Sequence, residues 1–121
     1  MLRSLSARTL LTATGIVALI FAAAAFQPAR AADEMPTFEI HIKDHKFDPS
    51  NFEVPADTRM KLVVHNDDPT PEEFESHDLF LEKIIPGGGK GIMYVGPLEA
   101  GTYHFFGEFN EATAQGDLTA K

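Results

Sequence analysis

The amino-acid sequence predicts an all-β domain, an antiparallel Greek-key β-sandwich, and three observations carry that expectation. Short segments alternate apolar and polar residues with period two, as half-buried strands do. Clusters of Gly, Pro, Asp and Asn interrupt them at intervals of about ten residues, the spacing of strands and turns in a sandwich. No window carries the i, i+3, i+4, i+7 pattern over three turns that a helix requires.

In chain order, "TFEIHIK" sets Phe38, Ile40 and Ile42 against Glu39, His41 and Lys43, a half-buried strand. "DHKFDPSNFEVPADT" reads as a turn, a short strand and another turn, anchored by Phe47, Phe52 and Val54. "RMKLVVHN" alternates Met60, Leu62 and Val64 with Lys61, Val63 and His65, and Asn66 ends it. "DDPTPEEFES" is expected to be a proline-broken acidic loop and "HDLFLEKII" a strand. "PGGGKG" is a glycine turn; it lacks phosphate-loop spacing and a following helix. Strands "IMYVGPL" and "TYHFFGEF" flank the turn "EAG", "NEATAQ" forms at most one helical turn, and "GDLTAK" supplies a last edge strand.

The first thirty-one residues carry the parts of a secretory signal in order. Arg3 and Arg8 precede an apolar run from Leu10 to Phe26, and the small residues Ala29 and Ala31 suit cleavage after Ala31. The run is short for a spanning helix and contains Thr12, Thr14 and Gly15, so no stable membrane anchor is expected. One domain, residues 32–121, remains.

The chain has 10 Lys and Arg, 18 Asp and Glu, and a formal net charge of −8. Cleavage would remove Arg3, Arg8 and Arg30 and no acidic residue, making the domain more acidic still. Phosphate recognition needs clustered Lys and Arg, so nucleic acid is excluded as a partner. Cysteine is absent, which removes disulfides, thiol nucleophiles and thiolate ligands. Ser76 and His77 are adjacent, without the sharp turn a serine nucleophile needs, so they do not indicate a hydrolase.

The words "FDPSNFEVPADTRMKLVVHN", "ESHDL" and "AGTYHFFGEF", in that order, resemble the cupredoxin-like family. The resemblance implies that His77 stands where a first copper ligand would be, with Gly107 at the Cys position and Asn110 at the second His position. A blue-copper centre needs a Cys thiolate, so type 1 copper is not expected. "PEEFES", "LEK", "PGGG" and the segment "FFGEFNEATAQG" are similar to the small periplasmic cupredoxin-like component of bacterial ferrous-iron uptake systems that work with an iron permease. That resemblance implies a periplasmic location, bound iron or copper, and as partners an inner-membrane iron permease and a second periplasmic iron-binding protein.

If the cupredoxin order holds, Glu108 and Glu111 come to the same pole as Glu72, Glu73, Glu75 and His77. Glu75 and His77, two apart in an extended segment, point to one side. The expected metal ligands are Glu75, His77, Glu108 and Glu111, with Met93 and Asn110 as secondary candidates. Asn110 would hold a water or orient a neighbouring Glu. Carboxylates with one imidazole suit Fe(II), Fe(III), Mn(II) or Cu(II) and are poor for Cu(I). Anionic oxygen favours ferric over ferrous iron, so a ferroxidase-assisting role is open beside simple binding. A homodimer completing the site would explain why one chain offers one well-placed imidazole.

His41, His65 and His104 fall on non-core strand faces and read as surface or cross-strand residues; His45, beside Asp44 and near Asp48, reads as a weak second cation site. The expected function is binding of iron, with or without copper, and its oxidation or delivery to a permease. The alternatives are a periplasmic copper-binding or chaperone protein and a metal-free docking module.

Overall fold

The computed structural model describes residues 34–121; the signal expected over residues 1–31 and its cleavage point lie outside them. Among the described residues the strands are β1 (Thr37–Lys43), β2 (Lys46–Asp48), β3 (Asn51–Val54), β4 (Met60–Asn66), β5 (Glu72–Ser76), β6 (Leu81–Ile85), β7 (Lys90–Val95), β8 (Gly101–Gly107) and β9 (Gln115–Ala120). They form a four-stranded sheet, β2-β1-β4-β7, and a five-stranded sheet, β3-β9-β8-β5-β6. This is the expected sandwich, with two parallel pairs, β1 with β4 and β3 with β9, in otherwise antiparallel sheets. No helix among the described residues is long and apolar enough to cross a membrane.

Strands with clear alternation, β1, β4 and β8, fall where the pattern puts them. Ile40, Ile42, Met60, Leu62, Val64 and Phe105 turn inward and are buried, while Glu39, His41 and His104 face out. Three other segments differ from expectation. Residues 44–58 hold two short strands instead of one, because Pro49 cannot donate to a ladder and divides β2 from β3. The acidic "EEFES" is a strand, since Glu72, Phe74 and Ser76 alternate inward, and His77–Phe80 is a turn instead of the start of β6. The C-terminal strand β9 is not an edge; it lies between β3 and β8 and pairs with both.

The two sheets meet over an aromatic centre. The Phe105 ring sits 5.0 Å from Phe47, edge to face, and 5.2 Å from Phe74, stacked, with Phe52 at 6.0 Å. Tight packing on this side admits no side chain at position 116, where a Cβ would come within 2.3 Å of the Phe105 ring. Phe105→Ala should therefore cost about 3–5 kcal/mol, seen in urea melts as a lower midpoint with little change in slope. A loss below about 1 kcal/mol would mean the ring is not the centre of the core.

Candidate metal centre

The site is built on the outer face of the five-stranded sheet, and its placement begins at the end of β4. Buried Asn66 terminates that strand by donating from Nδ2 to the carbonyls of Thr70 (2.8 Å) and Ile85 (3.1 Å) and accepting the Asp68 N–H at Oδ1 (3.1 Å). Asp68 in turn accepts the backbone N–H groups of Asp44 (2.8 Å) and His45 (2.9 Å). The bond from His45 is the main cause that lowers its pKa, against the opposing effect of burial. Gly87 lets the β6–β7 turn approach the same segment, since a Cβ there would lie 2.2 Å from the Pro69 carbonyl oxygen. Fixed at these points, residues 67–71 deliver β5 into register.

Along β5, Glu73 and Glu75 point outward. Glu75 lies opposite Glu82 of β6 on one side and Phe106 of β8 on the other. Glu108 follows β8 in a 3₁₀ turn, Glu108–Asn110. One carboxylate oxygen from each of Glu73, Glu75 and Glu108 lies within 4.8 Å of the other two. Ligand oxygens bound to one ion at about 2.0–2.6 Å fit inside that span.

The crowding is visible in the protonation equilibria. Glu73 is pushed up to about 7, first by its hydrogen bond with Glu82, then by burial and the charges of Glu108, Glu82 and Glu75. Glu75 is also raised, first by its hydrogen bond with Glu108, then by burial, while His77 pulls the other way. Like charges this close disfavour full ionisation in water-poor surroundings, so Glu73 and Glu75 hold a proton more tightly than isolated carboxylates do.

His77 stands at the rim. Its Nδ1 is 3.3 Å from Glu75 Oε1, and its side chain is 78% exposed against 16% for Glu75. The ring packs 5.4 Å from Phe106. The turn that follows is held by the Leu79 N–H to Ser76 Oγ (3.1 Å) and by Asp78, which accepts the His104 N–H (2.8 Å). An open cleft of about 300 Å³ is lined by Glu75, Ser76, His77, Phe80, Leu81 and Glu82. Phe80, at φ 54° and 94% exposed, forms its outer wall.

Glu72 has a different task. Its carboxylate is buried and accepts three hydrogen bonds: Oε1 takes the Glu73 N–H (3.0 Å) and the Phe109 N–H (2.9 Å), and Oε2 takes Asn110 Nδ2 (2.7 Å). A Cβ at Gly107 would lie 2.7 Å from Glu72 Cδ and 2.7 Å from Ala114 Cβ. Gly107, which the sequence resemblance sets at a copper-binding Cys, is thus closed in by a carboxylate, and Asn110, which it sets at the second His, is spent on holding that carboxylate.

Of the ligands expected from sequence, the structure brings Glu75 and Glu108 into one cluster, while His77 meets Glu75 alone. It does not bring Glu111 to them: the Thr113 and Ala114 N–H groups bond back to the Asn110 carbonyl, and Glu111 stays exposed with its own carbonyl accepting Gln115 Nε2 (2.7 Å). Met93 is excluded because it pairs with Leu62 and is buried in the core. Asn110 is bound to Glu72 and orients it instead of facing the cluster. His45 meets Asp68 (3.6 Å) instead of Asp44 or Asp48. Sequence reasoning placed Glu73 at this pole but left it out of the ligand set, and it missed Glu82 as a neighbour of the cluster. The alternation of Glu73 with Glu75 was a usable signal once β5 is a strand; the approach of Glu82 depends on register, which the sequence does not show.

A family model for the cupredoxin-like domain matches residues 15–120, and the chain belongs to that family. It is 46% identical over 89 residues to an uncharacterized protein of Rickettsia prowazekii (strain Madrid E), covering 74% of this chain and 71% of the relative. Among solved structures it is similar to the Cu(I)-bound metal binding domain of the Cu(I) exporting P-type ATPase CopA of Streptococcus pneumoniae D39, at TM-score 0.66 and 13% identity, covering 76% of this chain and 91% of that one. It is also similar to auracyanin A, a "blue" copper protein of Chloroflexus aurantiacus, at TM-score 0.61 and 15% identity, covering 70% and 98%. At these identities the likeness is one of fold.

The closed position gives a direct test. Gly107→Cys, alone or with Asn110→His, should displace Glu72 and lower stability by about 1–3 kcal/mol in thermal or urea melts. Neither variant should develop an intense thiolate-to-Cu(II) visible band when copper is added. A stable variant with such a band would show that Glu72 does not block the position.

Proposed function

We propose that this protein is a periplasmic metal-binding protein of iron acquisition, which holds iron at Glu73, Glu75 and Glu108 with His77 at the rim and passes it to an inner-membrane iron permease. The observation that carries this reading is the convergence of three carboxylate oxygens within 4.8 Å, one of them on a group raised to about 7. An oxygen-rich set with one imidazole matches hard and borderline cations, and anionic oxygen favours Fe(III) over Fe(II). Binding there would ease oxidation of ferrous iron, with dioxygen or another oxidant taking the electron, so assistance to a ferroxidase follows from the same donors. The resemblance of "PEEFES" and "FFGEFNEATAQG" to iron-uptake components supports the same partners, including a second periplasmic iron-binding protein, and a second copy of this chain is a candidate to complete the coordination sphere.

A second reading, a copper-binding or copper-delivery protein, draws on the copper proteins among the similar structures and on the imidazole of His77. The absence of Cys and the burial of Met93 weigh against Cu(I) and leave Cu(II) as the copper state to test. Calorimetric titration with Fe(III) held as a weak soluble chelate, anaerobic Fe(II), and Cu(II) separates the readings. Iron binding lowered more than ten-fold in Glu75→Gln/Glu108→Gln supports the iron site. Tight binding of Cu(II) alone, lost with His77→Ala, favours the copper reading, and no stoichiometric metal would leave a docking module.

Proton competition adds a pH signature. The folded Glu73 binds its proton more tightly than an unfolded Glu, so its contribution to stability is present below the ordinary carboxylate range and is lost as pH rises to about 7. The metal-free protein should therefore melt at falling temperature across that window, and Glu73→Gln should flatten the slope. Metal affinity should rise over the same window as the proton leaves. An unchanged slope in Glu73→Gln would remove this group as the cause.

A further inference from the structure

The opposite outer face, on the four-stranded sheet, carries two histidines that the carboxylate cluster does not use. Parallel pairing of β1 with β4 sets His41 directly beside His65, and their rings stack at 4.6 Å with planes 12° apart. Glu39, two residues before His41 on the same face, reaches toward them. One ligand atom from each of Glu39, His41 and His65 lies within 4.8 Å of the other two. We propose that Glu39, His41 and His65 form a second metal site, for a divalent first-row transition metal of the imidazole-binding kind, Zn(II) or Cu(II).

Two observations, each independent of the clustering, point to a ligand. His65 Nε2 is shielded from solvent and has no hydrogen-bond partner, the one such side-chain atom among the described residues. Leaving a buried nitrogen unpartnered is costly, so an atom in this state calls for a partner. The nearest carboxylate oxygen, Glu39 Oε2, is 3.7 Å away, too far for a hydrogen bond. That separation is close to the roughly 3.4 Å between two donor atoms bound to one tetrahedral ion at about 2.1 Å.

The other observation is the support behind His41. Its Nδ1 lies 2.7 Å from Asp67 Oδ2. An ionised carboxylate can only accept, so in the neutral ring this contact selects the tautomer with the proton on Nδ1, in which Nε2 is free to ligate. Asp67 is itself positioned by its backbone N–H, which donates to the Ile42 carbonyl (2.9 Å). A carboxylate behind an imidazole is the arrangement that orients metal-binding histidines and raises their basicity.

Two imidazoles and one carboxylate leave at least one coordination position for water or a ligand from another molecule. Lys90 lies cross-strand from His65, but it is exposed and its long side chain can extend to solvent. The donor set differs from the oxygen-rich cluster on the other face, and softer divalent ions should prefer it. The proposal does not rest on the iron reading; either site can fail alone.

The test uses untagged full-length protein carrying Glu75→Gln/Glu108→Gln, which removes the carboxylate cluster. Zn(II) is titrated by calorimetry while the imidazole carbon-bound protons are followed by NMR. One equivalent should shift the His41 and His65 resonances and leave His77 and His104 in place. His41→Gln and His65→Gln should each weaken Zn(II) by more than ten-fold, and Asp67→Asn by about ten-fold or more through the orientation of His41. Half-exposed His41 keeps the first variant folded, which its melting curve checks. Zn(II) that shifts other histidines first, or binds His41→Gln as tightly as the parent, overturns the site.

Discussion

The buried carboxylate of Glu72 is the constraint on which the functional end of this sandwich depends. It comes from the first residue of β5 and reaches across to the segment after β8, where it satisfies the Phe109 N–H and the Asn110 amide. A buried carboxyl group without partners would be costly, and three donors make it tolerable. The result is a cross-link between two loops that are far apart in sequence, made without a disulfide or a metal. It requires Gly107, and it positions Glu108 at the start of the 3₁₀ turn, beside Glu75. In this chain a carboxylate joins these segments, and the cluster of Glu73, Glu75 and Glu108 lies on the sheet exterior.

That exterior position has its own physics. Cross-strand neighbours of like charge are unfavourable, yet Glu75 lies directly opposite Glu82 and beside Glu108. The repulsion raises the affinity of Glu75 for a proton, and a bound cation would relieve it more fully. The other sheet presents imidazoles paired by a parallel ladder, with far less negative charge. Two faces of one small domain thus offer donors of different hardness, separated by an apolar core.

How much of this the sequence disclosed follows from how each element encodes its faces. β1, β4 and β8 were legible because apolar residues mark the inward positions. β5 was not, because two of its three inward side chains, Glu72 and Ser76, are polar and satisfied by hydrogen bonds that only the folded chain supplies. Chain order and donor chemistry singled out Glu75 and Glu108, which the fold brings together, and His77, which meets Glu75. Glu111 and Met93 were misplaced by the same means, since nothing local shows that the loop folds back after Asn110 or that Met93 faces Leu62. His41 and His65 were read as surface or cross-strand residues because the parallel register that stacks them joins residues 24 positions apart in the chain.

The interior place of β9 governs the order in which the chain can assemble. β3 has no neighbour in its sheet until Gln115–Ala120 arrives, and β8 lacks its partner on that side. A chain emerging from its N-terminus can pair β1 with β2 and β4 early, but the five-stranded sheet must wait for its last strand. Its closure joins residues more than sixty apart, which makes it a late, non-local event. Until then β3 and β8 expose open edges, the condition in which β-rich chains associate wrongly. Removing even the last few residues would therefore act on the centre of a sheet and not on its margin.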